Sequence, residues 1–400
     1  VAVSRRHADP RPYLRLGLVA VGGLAAFGLL ATAWLTAAVA RTIIVPPRKR
    51  QQDVVIVGVD ETEGTIELRR SADTVISGRY SLWFSNDRGH ARIGDILSET
   101  DETVTRRLDD VSHGELRLAR SGRIAGWWYL TPDDLGVGYE DVDIDTELGP
   151  APAWLIAAHD DRRIEDTDRW VIQVHGRAVR RPEGLRAVPV FRDAGYHSLL
   201  ISYRNDGDAP SSADGRYSLG DTEWRDVESA MQYAQERGAR HIVLMGWSMG
   251  GATVLQAVTR SQLAPLVRGV VLESPVIDWV ITLEAIAGEA GLPVPVSRSV
   301  FRAIGAPWGR ILTGQRDPID LARLNFVRRA DELDLPILIL HSDDDGFVPS
   351  TGSRALAKAR PDIVQLEAFT VARHTKLWNY DEERFVGTIR IWLGRPELNA

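Results

Sequence analysis

Residues 241–252 read His-Ile-Val-Leu-Met-Gly-Trp-Ser-Met-Gly-Gly-Ala. The apolar run Ile242 to Met245 has the length of a short buried strand. A tight turn, Gly246-Trp247-Ser248-Met249-Gly250, follows it, and Gly251 to Arg260 suits a helix. Strand, turn with a serine at its tip, helix: this is the setting in which Gly-x-Ser-x-Gly presents a nucleophile. The turn forces the serine into a strained backbone conformation. Crowding of strand against helix leaves no room for side chains two residues to either side, hence Gly246 and Gly250. The pattern is short, so its meaning depends on what the rest of the chain supplies.

From about Val137 the chain alternates strand-like and helix-like runs. Val142 and Ile144 face Trp154 to Ile156 across Gly149-Pro150, which suggests a hairpin. Trp170–Val174, Ser198–Tyr203, Gly269–Glu273, Pro336–His341 and Ile363–Ala368 read as strands. Glu183–Ala194, Asp221–Arg237, Gly352–Ala359 and Asp381–Leu393 read as helices. The alternation implies an α/β domain, a mostly parallel sheet covered by helices on both faces, with its site at the carboxyl ends of the strands. Residues 278–332 break the alternation and form a candidate lid insert carrying Trp279 and Trp308.

A serine hydroxyl needs a base to take its proton, an acid to orient that base, and two N–H donors for the developing oxyanion. His374 follows the last strand and precedes the final helix, so it is the candidate base. The strand Pro336 to Leu340 leads into His341-Ser342-Asp343-Asp344-Asp345-Gly346-Phe347-Val348-Pro349. Three adjacent carboxylates cannot all enter one site. Asp345 is preferred for its Asp-x-x-Val-Pro setting; Asp343, Asp344 and, after the preceding strand, Asp278 are the rivals. Met249 follows the nucleophile and offers one oxyanion N–H; Arg177, in Val174-His175-Gly176-Arg177, offers the other. Trp247, Trp279 and Trp308 are candidates for lining an acyl pocket, with core filling as the alternative.

Taken together, His175-Gly176, Gly246 to Gly251, His341 to Pro349 and His374 resemble the alpha/beta-hydrolase superfamily over roughly residues 137–395. The nearest likeness is to bacterial serine hydrolases and hydrolase-type peptidases whose elbow follows a His-Gly oxyanion loop. The chain order Ser, Asp, His agrees with that superfamily. Ser342 departs from it, since glycine is common there. The resemblance implies a serine hydrolase acting on a small-molecule ester or acyl substrate through a Ser248–His374–Asp345 triad, without metal or cofactor. A peptidase or amidase using the same triad, or a non-catalytic envelope binding or scaffold protein on this fold, are the alternatives.

The N-terminal part lies outside that resemblance. Residues 16–40 carry no charge, and 25 helical residues rise about 37 Å, enough to cross a bilayer core of about 30 Å. The segment is expected to be a single-pass anchor in the cell membrane, after a basic tail at 1–15. Ala38-Val39-Ala40 also resembles a signal-cleavage site, so a cleaved signal and secretion are the alternative. Four arginines precede the segment, and Arg41, Arg48, Lys49 and Arg50 follow it, which leaves its orientation open. Residues 41–52, with Pro46-Pro47, read as a linker, and 53–136 as a small β-rich module. Strands are expected there at Val54–Val59, Thr65–Leu68, Gly78–Phe84, Gly114–Leu118 and Ile124–Leu130. The first 50 residues have net charge +7 and the remaining 350 hold −14; an acidic body argues against nucleic acid as a partner. The absence of Cys excludes disulfides, thiolate metal sites and a cysteine nucleophile.

Overall fold

The computed structural model describes residues 32–159 and 167–398. Six strands come first: β1 (Val54–Asp60), β2 (Thr65–Arg69), β3 (Tyr80–Phe84), β4 (Gly89–Glu99), β5 (Thr103–His113) and β6 (Ser121–Ala125). They run in the order β1-β2-β5-β4-β3-β6, and β6 returns to β1 to close a barrel. Side chains alternate across a strand. So Val54 and Ile56 of β1 and Ile66 and Leu68 of β2 turn inward and meet Tyr80, Leu82, Phe84 and Ile93. Closure leaves no strand edge free to recruit another chain. One charge is buried inside: Arg106 donates to the carbonyls of Gly94, Thr74, Ile76 and Gly78 at 2.6–3.0 Å.

Two expectations fail in this module. Gly114–Leu118 is no strand: Leu116–Leu118 is a 3₁₀ turn, with Leu116 buried and Leu118 exposed. The run from Ile124 is extended only through Ala125, after which the chain leaves the barrel. The long hairpin β4–β5 was not anticipated. Its outer half is exposed and charged, so no hydrophobic alternation marks it.

The second body is an eight-stranded sheet of β7 (Glu140–Thr146), β8 (Gly149–Ile156), β9 (Arg169–Val174), β10 (His197–Ile201), β11 (His241–Trp247), β12 (Val267–Glu273), β13 (Ile337–Ser342) and β14 (Val364–Phe369). The order is β7-β8-β10-β9-β11-β12-β13-β14. β9 to β14 are parallel, and the β7–β8 hairpin adds an antiparallel edge through β10. Each central strand feeds two cores. Ile242 and Leu244 pack on one face with helices Trp224–Glu236 and Met249–Arg260. Val243, Met245 and Trp247 pack on the other with Val190, Phe191, Phe385 and Ile389. This explains the unbroken apolar runs Ile242–Met245 of β11 and Ile337–Leu340 of β13. Between β12 and β13 lies the expected insert, with helices Trp279–Glu289 and Val294–Gly305.

The expected boundary between anchor and linker, after Ala40, falls inside a helix. Residues 32–44 are helical, and Ala40 and Ile44, one turn apart, are fully buried against the sheet's first core. The helix end is also tied down: Tyr217 N–H donates to the Ile44 carbonyl at 2.8 Å, and Arg177 Nε to that of Ile43 at 2.9 Å. Residues 16–31 of the expected anchor lie outside the described residues. Among the described residues no helix is long and apolar enough to cross a membrane.

Candidate active site

Ser248 joins β11 to the helix Met249–Arg260 with φ 51° and ψ −116°. Such a conformation costs a non-glycine residue about 1–3 kcal/mol and persists only where the surroundings impose it. Here they do. Ser248 N–H donates to the Glu273 carbonyl at 3.0 Å, and its own carbonyl accepts from Gly251 and Val276 at 3.0 and 3.1 Å. A Cβ on Gly246 would lie 2.6 Å from the Gly250 backbone, and one on Gly250 2.1 Å from the Val174 carbonyl oxygen. Both glycines are therefore required by close approach.

The three chemically distinct residues converge from three loops. His374 Nε2 is 3.0 Å from Ser248 Oγ, and His374 Nδ1 is 2.7 Å from Asp345 Oδ2. The second carboxylate oxygen of Asp345 accepts from the N–H groups of Phe347 and Val348 at 2.9 and 2.8 Å. Burial opposes its ionisation. Electrostatic interaction with His374 and hydrogen bonds from His341 and His374 outweigh that and hold Asp345 well below the usual carboxylate range. The neighbouring carboxylates are engaged elsewhere. Asp343 accepts from Ser350 and Arg354, and Asp344 from Ser342 Oγ and Arg373 N–H. Asp278 caps the helix Trp279–Glu289 through Val280 N–H. Ser342, the departure from the family pattern, ties the two loops together: its hydroxyl also accepts from Ala372 N–H at 2.9 Å.

Behind the serine, a Cβ on Gly176 would sit 3.3 Å from Ser248 Cβ, so the loop carrying Arg177 lies against the nucleophile. Gly176 N–H is taken by Glu183 Oε2 at 2.6 Å. Among the described residues, no acceptor takes the backbone N–H of Arg177 or Met249. The Arg177 side chain points away, to the Thr42 and Ile43 carbonyls and the Tyr217 ring. His175 is buried, hydrogen-bonded to the Gly176 carbonyl and stacked on Tyr203. Burial lowers it to about 4, so it is neutral and structural.

The next residue of the loop, Ala178, donates its N–H to buried Asp206, which also accepts from the Tyr217 hydroxyl. Burial, partly offset by these hydrogen bonds, raises Asp206 to about 7 from 3.8. A carboxyl with a raised folded pKa binds its proton more tightly when folded. Its contribution to stability is complete below pH 3.8 and lost as pH rises through about 7. Asp206→Asn, which mimics the protonated form, is therefore expected to flatten the fall in Tm between pH 5 and 8. Equal slopes in thermal melts of the two proteins would refute this.

The three tryptophans do not form an acyl pocket. Trp247 is fully buried, and its indole N–H donates to Glu273 at 2.6 Å, because strand alternation turns it into the second core. Trp279 is buried in the first core and donates to the Leu219 carbonyl. Trp308 is half exposed on the insert. The cavity beside His374 has a volume of about 370 Å³. Phe347, Glu183, Thr375 and Lys376 line one wall; Asp53, Asp73, Arg123 and Trp127 line the other. That second wall belongs to the barrel module and its flanking residues, and no residue of the insert 278–332 contributes. A larger groove of about 650 Å³ lies within the insert and includes none of these groups.

Sequence reading missed the buried charges beneath the site. Glu273 accepts from Trp247 and from Leu377 N–H, and Arg186 reaches Thr375 O and Asn379 at 2.8 Å. Burial pushes Glu183 upward, with Arg186 opposing. The one available signal was a glutamate ending the apolar strand Val270-Val271-Leu272.

An eight-stranded, mainly parallel sheet with a serine on a strained strand–helix turn and His and Asp on later loops defines the alpha/beta-hydrolase class. The chain belongs to the alpha/beta hydrolase family, whose profile matches residues 174–388. Residues 55–125, the barrel, match a family described as a domain of unknown function (DUF8805). A comparison with curated protein sequences gives no match. Among solved structures, the chain is similar to the Pyrococcus furiosus esterase Pf2001. In one crystal form the TM-score is 0.50 at 19% identity, covering 66% of this chain and 95% of the esterase. A second crystal form gives 0.50 and 19%, covering 68% and 95%. Est1E from Butyrivibrio proteoclasticus, solved with ferulic acid bound, gives 0.47 and 17%, covering 63% and 97%.

Proposed function

We propose that the chain is a serine hydrolase that cleaves a carboxylic ester through an acyl-enzyme. The observation that carries this is the relay Asp345–His374–Ser248, at 2.7 and 3.0 Å, ending on a serine in a strained turn. In this reading Ser248 Oγ attacks the ester carbonyl carbon while His374 Nε2 takes its proton. Asp345 holds the imidazole tautomer and stabilises the imidazolium. The N–H groups of Met249 and Arg177 receive the oxyanion. The proton passes to the departing alkoxide, and water, activated by His374 in turn, releases the acid and restores Ser248.

A fluorophosphonate probe tests this directly. Folded wild-type protein is expected to label and Ser248→Ala not to. Equal absence of labelling in both would overturn the enzyme reading. Turnover of short-chain p-nitrophenyl esters in preference to aminoacyl or peptidyl amides is expected; the reverse preference would make it a peptidase or amidase.

Membrane attachment is a separate proposal, supported by the uncharged run at 16–40. Since Thr36 is buried, and Ala40 and Ile44 pack in the hydrolase core, the span would end near residue 35. A helical span over 16–35 would rise about 30 Å, the thickness of a bilayer core. Fractionation of the full chain is expected to place it with membranes at intact mass. A soluble product beginning at Arg41 would refute this.

A further inference from the structure

Both residues flanking His374 have positive φ, Arg373 at 62° and Thr375 at 49°. Non-glycine residues adopt this region only where their surroundings hold them. Part of the restraint comes from the hydrolase body. Asp344 accepts from Arg373 N–H at 2.9 Å, Ser274 Oγ from Thr375 N–H at 3.1 Å, and the Thr375 carbonyl from Arg186 at 2.8 Å.

The Arg373 guanidinium also donates to the Asp344 carbonyl at 3.1 Å, and the barrel adds a further hold. Asp73, in the β2–β3 connection, accepts from Arg373 Nε at 3.3 Å and from Lys376 Nζ at 3.0 Å on the same oxygen. One carboxylate thus bridges cations on either side of the base. Asp73 is itself held firmly. Arg106, buried in the barrel, binds the carbonyls of Thr74, Ile76 and Gly78, which fixes the backbone of that connection. Close by, a Cβ on Gly126, just past β6, would fall 2.5 Å from the Thr375 carbonyl oxygen, so the segment leaving the barrel lies directly against the base loop. Burial opposes ionisation of Asp73, yet Lys376 and Arg373 hold it below its ordinary value, so it is charged at neutral pH.

The geometry points to Asp73 as a positioning residue: the barrel holds His374 in line with Ser248 through one carboxylate that bridges Arg373 and Lys376. This rests on the reading of His374 as the base. It gives the barrel a part in turnover beyond walling the cavity. Small misplacements of a reacting group are costly, so loss of the bridge acts on the rate constant more than on substrate capture.

The test uses the full chain and p-nitrophenyl acetate. Asp73→Asn keeps the shape and removes the charge. It is expected to lower kcat roughly tenfold or more, with KM within twofold, and to slow fluorophosphonate labelling by the same factor. Asp73→Glu restores the charge and is expected to recover part of kcat; it also carries the test if Asp73→Asn does not fold. Glu382→Gln breaks another ion pair between barrel and hydrolase body, that with Arg79, and is expected to stay within twofold of wild type. A kcat for Asp73→Asn within twofold of wild type, no recovery in Asp73→Glu, or an equal loss in Glu382→Gln would each overturn the proposal. Wild type that fails to label at all would instead refute the serine-hydrolase reading beneath it.

Discussion

Ser248→Ala is expected to reduce kcat for a short-chain p-nitrophenyl ester by roughly 10⁶-fold, the scale seen when a triad nucleophile is removed elsewhere. The protein should stay folded. Among the described residues Ser248 Oγ hydrogen-bonds only to His374, and the strain of its backbone is imposed by the Glu273, Gly251 and Val276 hydrogen bonds, which alanine keeps. An unchanged Tm beside a lost rate would separate chemistry from structure. Residual hydrolysis near the wild-type rate would move the nucleophile elsewhere. His374→Ala is expected to cost about as much, because nucleophile and base act as one unit.

Asp345→Asn is expected to cost roughly 10⁴-fold in kcat. Asparagine accepts the Phe347 and Val348 N–H groups with its oxygen, which presents its NH₂ to His374 Nδ1. That favours the wrong imidazole tautomer and removes the charge that stabilises the imidazolium. Asp344→Asn is the informative comparison. Asp344 accepts from Ser342 Oγ and Arg373 N–H without reaching His374, so its loss should cost far less. A near-normal rate in Asp345→Asn with a dead Asp344→Asn would reassign the acid by one residue. Steady-state kinetics on the pair decide it.

Whereas His374 follows the edge strand β14, which alternates apolar and polar residues, the loops carrying Ser248 and Asp345 were legible because each follows a short apolar run that ends abruptly in polar residues. A parallel strand buried on both faces leaves that mark in sequence. Hairpin β4–β5 left none, since its outer half faces solvent on both sides. The tryptophans misled for a related reason. Trp247 neighbours the nucleophile in sequence, but on a strand the preceding side chain points to the opposite face. The contact of Asp73 with Arg373 spans 300 residues, and Glu273 reaches Leu377 across 104. No local pattern encodes such pairs.

The helix over 32–44 changes how the two bodies are related. It completes the hydrolase core, yet the barrel strands separate it from the rest of that core in sequence. The barrel is thus a guest inserted into a host domain, and the host is discontinuous. Arg177 meets Ile43 across 134 residues, so the host closes only after the guest has been made. Contacts of such separation slow folding. A barrel that folds early would shorten the effective loop between the two host segments and bring them together.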